Sequence, residues 1–462
     1  TGTVQDNEGI LRTAIAGEVR FTGARRVRNL LPSTEGAFDA GSGWTLLNGA
    51  ITTGVEDPNG GSTAYTLTQS GAPSCELYPT TPFVNSSTIS SVWIRRRTGT
   101  GTIRLYGGDY ITDITSQVTS EWNRVTSNAS ASATVGFDLR TFDSGDAIDF
   151  WHPQAEDITG RTDQTTPSEY VSVGVLSAPY HGAGVDGVEY FDTDLSGNPI
   201  AASTLKGYLA EPAATNLCLQ SQTFGTTWLA VQATVSANQT AAPDGTTTAD
   251  LLTATSSAGQ HSIYQDTAWV SGSTYAISVY AKKGTLNYLA VCHTDGSSEY
   301  VTKVFDLNLG VVGETKASAG DTLVSASITS AANGFYRCKI VVTVTTGGAS
   351  RFTQFALASA ATGNTFDVAG RPSWVAAGTE NLYLWGAQSE TGSAATSYIP
   401  TTTVAVARNA DVEGVTTSGA ILAAGGTISL TYIPYHAPSG TIALWGTYVD
   451  ASNYTAILHD AT

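Results

Sequence analysis

The sequence predicts an all-β protein built of tandem jelly-roll β-sandwiches joined by short arms, and three observations carry that expectation. Only 13% of residues are charged while 41% are hydrophobic, and Gly, Thr, Ser and Ala fill much of the rest, which suits short strands and frequent turns over long helices. Apolar residues recur with period two, as in Thr274-Tyr-Ala-Ile-Ser-Val-Tyr280 and Cys338-Lys-Ile-Val-Val-Thr-Val344. A closing phrase, Trp-x-x-Gln-x-Glu, occurs twice, with Trp151, Gln154 and Glu156 answering to Trp385, Gln388 and Glu390. Such self-similarity marks a duplicated module.

At 462 residues the chain exceeds one ordinary core. Residues 1–28 read as an N-terminal arm, too short to bury a core, with a turn at Asp6-Asn-Glu-Gly9. The first jelly-roll module is expected over 29–171. A linker arm at 172–215 repeats the first: Gly197 falls where Gly9 falls, and Ala214-Thr-Asn-Leu217 where Val27-Arg-Asn-Leu30 falls. The second module is expected over 216–410. Its milestones follow those of the first in order: Asn29, Phe38 and Trp44 answer to Asn216, Phe224 and Trp228; Ser91-Val-Trp-Ile-Arg-Arg96 answers to Ser278-Val-Tyr-Ala-Lys-Lys283. Most of the second copy's extra length lies between about Asn287 and Asn333, room for an extra hairpin or extended loops. From 411 to 462 a partial third β domain is expected, with strands at Gly426–Ile433, Thr441–Trp445 and Asp450–Leu458 and a turn at Pro438-Ser-Gly440. It stops inside a domain or completes its sheet with a neighbouring subunit.

The net charge of -17 argues against nucleic acid or an anionic membrane as partner, because both require clustered Lys and Arg. The basic run Arg25-Arg-Val-Arg28 reads as a solvated or intersubunit strand edge. With no run of about 18 apolar residues, no membrane insertion is expected. No secretory leader is visible, and the lack of Met places the initiator in a removed or preceding part. Cys75, Cys218, Cys292 and Cys338 have no C-x-x-C spacing; buried thiols and a disulfide both remain open.

Crowded carboxylates are the sequence's candidates for catalytic chemistry. Asp143, Asp146 and Asp149 are spaced by three on a strand–turn–strand, so Asp143 and Asp149 need not face each other as a hydrolytic pair requires; Asp192 and Asp194 are a second crowded pair. Asp192-Thr-Asp194-Leu-Ser-Gly197 begins like a calcium loop, but Ser203 stands where a bidentate Glu is needed, so it reads as a plain turn. The histidines (His152, His181, His261, His293, His436, His459) lack zinc-binding spacing. No catalytic residue, metal or cofactor is assigned, and an enzyme is not expected. Aromatics remain: Trp44, Trp228, Trp269 and Trp374 lie near turns and are glycan-binding candidates, since sugar rings stack on exposed indoles. Trp151 and Trp385 lie mid-strand and read as core.

The phrases Gly187-Val-Glu-Tyr-Phe-Asp-Thr-Asp194, Gly207-Tyr-Leu-Ala-Glu-Pro-Ala-Ala-Thr-Asn-Leu217, Asn333-Gly-Phe-Tyr-Arg-Cys338 and Leu384-Trp-Gly-Ala-Gln-Ser-Glu-Thr-Gly-Ser-Ala-Ala-Thr-Ser-Tyr-Ile-Pro400 resemble those of tailed-bacteriophage virion proteins. In these, carbohydrate-binding-module-like jelly rolls are strung along tail fibres, tailspikes or capsid-attached fibres. The opening, Gly9-Ile-Leu-Arg12 and Phe21-Thr-Gly-Ala-Arg-Arg-Val-Arg-Asn-Leu-Leu31, is similar to the start of such proteins, and the third segment resembles the first strands of a concanavalin-like domain. The resemblance covers most of 5–410. It implies an external virion appendage, a homotrimer, attached to other virion proteins of tail, neck or capsid. It also implies a role in host attachment through bacterial surface polysaccharide. Two alternatives are a capsid- or collar-attached decoration fibre with no ligand, and a depolymerase tailspike whose catalytic part lies outside this chain.

Overall fold

The computed structural model describes residues 2–81, 87–108, 110–130, 137–174, 183–411, 442–450 and 453–459, and among them there is no α-helix. Two antiparallel jelly-roll sandwiches dominate. The first has a front sheet in the order Tyr110–Asp113, Ile103–Gly107, Phe137–Thr141, Cys75–Pro79, Trp44–Leu47. Its back sheet runs Asn123–Thr126, Thr88–Thr98, Ala147–Asp157, Ala64–Gln69, Gly49–Val55. Because strand side chains alternate, Leu77, Leu105 and Leu139 of the front sheet meet Val92, Ile94, Ile148 and Phe150 of the back sheet in one core.

The second sandwich repeats this order with six strands per sheet. Its front sheet is Leu229–Val231, Ser262–Trp269, Gly348–Ala358, Tyr288–Thr294, Tyr300–Asp306, Val311–Ala317. Its back sheet is Ala233–Thr240, Ala249–Ala254, Asn381–Thr391, Thr274–Lys283, Tyr336–Thr343, Thr322–Ser330. The additional strands, Val311–Ala317 and Thr322–Ser330, are consecutive in sequence and add one edge to each sheet. They occupy the stretch where the second copy is longer.

The duplicated phrase is a buried clamp that closes each module. In the first, Gln154 Nε2 donates to Glu156 Oε1 (2.9 Å), Gln154 Oε1 accepts from Val171 N (2.7 Å) and Glu156 accepts from Ser168 N (2.8 Å). Asn29 Nδ2 donates to the Val171 carbonyl (2.8 Å), so the incoming and outgoing chain are tied side by side. In the second, Gln388 Oε1 accepts from Ile399 N (2.7 Å), Gln388 Nε2 donates to Glu390 (3.1 Å) and Asn216 Nδ2 donates to the Ile399 carbonyl (2.8 Å). Buried amides and carboxylates are tolerated here because each finds partners. Just before the clamp the strand bulges after the tryptophan, with φ at +49° for His152 and +64° for Gly386. Glycine takes that conformation without strain.

The arms pair with each other as well as leading into modules. Arg25–Arg28 runs antiparallel to Val188–Phe191, and Phe21–Thr22 to Gly207–Tyr208. The reading of Arg25-Arg-Val-Arg28 as a solvated edge holds for Arg28, which is exposed, but not for Arg25 and Val27, which are buried, and Arg26 forks onto Glu18 at 2.7 and 2.8 Å. Burial would raise the Glu18 carboxyl, but Arg26 and the Tyr190 hydroxyl outweigh it and hold it below its usual range. A second buried network joins three segments. Arg20 pairs with Glu211 (2.9 Å) and Asp411 (2.5 Å), and Arg408 pairs with the same two acids at 3.4 Å each. Two guanidiniums face two carboxylates, so each ion's desolvation cost is offset by a paired opposite charge.

All four cysteines are buried and free. Of the expected third domain, Ile442–Asp450 and Asn453–His459 form an antiparallel hairpin. The strand expected at Gly426–Ile433 and the turn at Pro438-Ser-Gly440 lie outside the described residues, as do His181 and His436.

Candidate functional site

Three front-sheet strands of the first module alternate without interruption: Cys75-Glu-Leu-Tyr-Pro79, Ile103-Arg-Leu-Tyr-Gly107 and Phe137-Asp-Leu-Arg-Thr141. The apolar members enter the core, so Glu76, Arg104, Tyr106, Asp138 and Arg140 share the outer face. Register aligns Asp113, Arg104, Arg140, Glu76 and Leu47 in one row across all five strands. Ile111, Tyr106 and Asp138 form the next row. Arg140 is the centre of this ladder. It reaches Asp138 at 2.6 Å and Glu76 at 3.1 Å, and its guanidinium lies 4.4 Å from the centroid of the Tyr106 ring. Arg104 lies directly across from Arg140, a like-charge pair that the flanking acids offset.

Asp138 is the unusual member. Its side chain is fully buried, and Oδ1 has no hydrogen-bond partner among the described residues. Burial pushes its pKa up to about 7; Arg140 pulls the other way without cancelling the rise, and the charge of Glu76 adds to it. Both carboxylates grip one guanidinium, which fixes acceptors and donors in a row. A hydrolytic pair would instead stand apart on two sides of the scissile bond. The first row, which ends in the exposed side chain of Leu47, and the next, which ends in the exposed side chain of Ile111, together offer polar groups for hydroxyls and apolar ground for C–H faces.

The corresponding face of the second module is closed. Where the first module joins its last two strands through 142–146, the second uses 359–380. That longer connection folds over the front sheet: Thr294 Oγ1 donates to the Ala369 carbonyl (3.3 Å), and Asn364 N donates to Glu314 (2.8 Å). Beneath it lie small side chains, Ala290, Cys292, Ala356 and Ala358, all fully buried.

The tryptophan candidates do not form exposed platforms. Trp44 and Trp228 are buried beside Phe38 and Phe224, each donating its indole N–H to a backbone carbonyl (Ser33, 2.9 Å; Leu219, 3.1 Å). Trp269 is buried between Tyr275 and His293, at 4.2 and 3.9 Å. All three indoles belong to the core clusters of their modules. Trp374 is half-buried in the closing connection, bonded to the Leu357 carbonyl (3.3 Å) and edge-on to His261 (5.0 Å). Trp385 is core, as expected, and Trp151 is buried with its N–H on Thr63 (2.8 Å).

Among the carboxylates, Asp149 binds Arg95 (2.8 Å) and Arg97 (2.7 Å). Burial would raise it, but hydrogen bonds from Arg97, Thr66 and Arg95 prevail and hold it low. Asp143 and Asp146 do converge, over Gly101, where a Cβ would sit 2.5 and 2.3 Å from their oxygens. Asp194 accepts from Ser196 N (2.8 Å) and Asn198 N (2.9 Å), closing a turn. Sequence alone does not single out Glu76, Tyr106, Asp138 and Arg140. Their signal is one charge or phenol at each outward position of three alternating strands, which becomes a cluster only once register is known.

No protein-family model matches the chain, and no curated protein matches it significantly. Among solved structures, similarity is found to the tandem CBM22-1–CBM22-2 domain of Paenibacillus barcinonensis Xyn10C, with 12% identity over 82% of this chain and 100% of that one, at a TM-score of 0.24. Vicilin from Capsicum annuum follows, with 11% identity over 68% and 82% of the two chains and a TM-score of 0.12. Neither likeness reaches the level at which a ligand or activity carries across.

Proposed function

We propose that this chain is part of an external appendage of a tailed bacteriophage, a fibre or spike whose sandwiches act as spacers and whose first module touches a bacterial surface polysaccharide. The observation that carries the contact is the Arg140-centred ladder on the first module, set against the closed face of the second. Support for the virion setting comes from the resembling phrases around Gly187, Gly207, Asn333 and Leu384. In this reading the ladder donates from Arg104 and Arg140 and accepts at Glu76, binding hydroxyls without cleaving anything. A homotrimer would present three weak ladders at once, raising avidity through effective concentration. The closed second module is then a spacer without a ligand.

The test is binding of the full chain to purified host polysaccharide, comparing wild type with Arg104→Gln/Glu76→Gln, whose side chains are partly exposed. The expected result is a loss of about tenfold or more, the worth of one charge-assisted hydrogen bond. Equal binding by a folded double variant removes the ladder from the account.

A further inference from the structure

Two tyrosines lie on the outer face of the first module's front sheet, and they differ in what covers them. Tyr106 is buried, with the Arg140 guanidinium 4.4 Å from its ring centroid. Tyr78 lies on Cys75–Pro79, whose Cys75 and Leu77 enter the core, so it shares the outward side with Glu76. It is half-buried, and among the described residues neither its ring nor its hydroxyl has a ring contact, a cation contact or a hydrogen bond. Leu77 pairs with Leu139, so Tyr78 adjoins Asp138 in the second row, and Thr45 stands across from Tyr78 on the other side. In the first row Leu47, which is 41% exposed, stands across from Glu76. Two apolar surfaces, Leu47 and the Tyr78 ring, thus border one carboxylate.

The charges of this face leave no cation in surplus. Arg140 is held by Asp138 at 2.6 Å and by Glu76 at 3.1 Å. Arg104 stands across from Asp113 in register and lies over the Phe142 ring at 4.6 Å. Hydrogen bonds from Thr115 hold the Asp113 carboxyl below its usual range, and the charge of Arg104 adds to them. Three carboxylates, Asp113, Glu76 and Asp138, therefore accompany two guanidiniums, on a chain whose net charge is -17. A ligand carboxylate or phosphate would approach these acids along with the arginines, and like charges set together cost affinity. A hydroxyl meets no such penalty, because it both donates and accepts.

We propose that the ladder selects neutral glycans, and that Tyr78 is the side chain on which a neutral hexose ring stacks. The C–H face of the ring lies on the phenol with Leu47 beside it, while ring hydroxyls donate to Glu76 and accept from Arg140. Uronic, sulfated and phosphorylated rings are disfavoured by charge. This rests on the reading of the ladder as a glycan contact; the selection of neutral rings and the role of Tyr78 go beyond it.

Calorimetry of the full chain against a neutral set (dextran, galactan, mannan) and an acidic set (polygalacturonate, hyaluronate, a phosphorylated mannan) tests this. At least one neutral polymer is expected to bind, and every acidic one to bind about tenfold weaker or worse than the best neutral one. Tyr78→Ala should lose about tenfold on that polymer, while Tyr78→Phe keeps its affinity, since the ring and not the hydroxyl makes the stacking contact. Raising salt from about 0.05 M to about 0.5 M should leave neutral binding as it was, because no charged ligand is screened. An acidic polymer that binds as tightly as the best neutral one, or a folded Tyr78→Ala that binds unchanged, overturns the proposal. If acidic polymers alone bind and Arg104→Gln/Glu76→Gln abolishes that binding, the ladder stands as a glycan contact and the selection of neutral rings fails. If no polymer of either set binds, the adhesive reading falls and this proposal with it.

Discussion

Gly160 of the first module and Gly245 of the second meet backbone to backbone: a Cβ on Gly160 would lie 2.7 Å from the Gly245 Cα. Both have positive φ, 74° and 85°. The N-terminal arm fastens the same two turns, with Arg12 Nη1 donating to the Thr159 carbonyl (2.7 Å) and Leu11 N to the Pro243 carbonyl (3.0 Å). The two sandwiches are thereby braced, and the arm is the brace.

Gly245→Val places a branched side chain at that contact and at a φ it resists. It is expected to cost about 1–3 kcal/mol and to separate the modules. Small-angle scattering checks this: a larger radius of gyration with unchanged circular dichroism is expected.

Asn216→Ala removes the second module's clamp, freeing Ser389 N (3.1 Å) and Cys218 N (3.1 Å) as well as the Ile399 carbonyl. Several buried groups lose partners together, so a loss of about 2–4 kcal/mol is expected. Urea unfolding followed by tryptophan fluorescence should show the second module's transition shifted to lower urea.

Arg20→Gln strands Glu211 and Asp411 with Arg408 alone. Removing one partner of a buried pair costs about 3–5 kcal/mol. Hydrogen exchange should rise in the segments around 206–212 and 408–411, since those are the ends the network ties down.

Much of this was legible in sequence, for a physical reason. The clamp needs an Asn, a Gln and a Glu at fixed strand positions in both copies, so Asn29/Asn216 and Gln154/Gln388 betray the duplication. The additional strands Val311–Ala317 and Thr322–Ser330 announced themselves as excess length. Pairing of the arms did not, because Arg25–Arg28 and Val188–Phe191 are short and far apart, and no local pattern specifies a partner at that distance. The ladder was hidden similarly: Arg140 meets Glu76 and Tyr106 only through strand order. Tryptophan near a turn, as at Trp44, says nothing by itself about which way the indole points.

Asp138 gives a pH signature. Its folded pKa of about 7 lies above the ordinary value of about 3.9, so the folded state binds the extra proton between them. Its contribution to stability is therefore full below about pH 4 and is lost as pH rises through about 7. Carboxyl-carbon NMR should show this midpoint, and Asp138→Asn should remove the matching slope from unfolding midpoints measured over that window.

We propose above that this chain belongs to a phage appendage that meets the host. A cryo-EM reconstruction of the intact virion, with the two braced sandwiches fitted as one body, tests it most directly. Density for them at the tail tip or baseplate, with the first module's front sheet facing outward, is the expected result. Density on capsid or collar, or no such density on the virion, would contradict it.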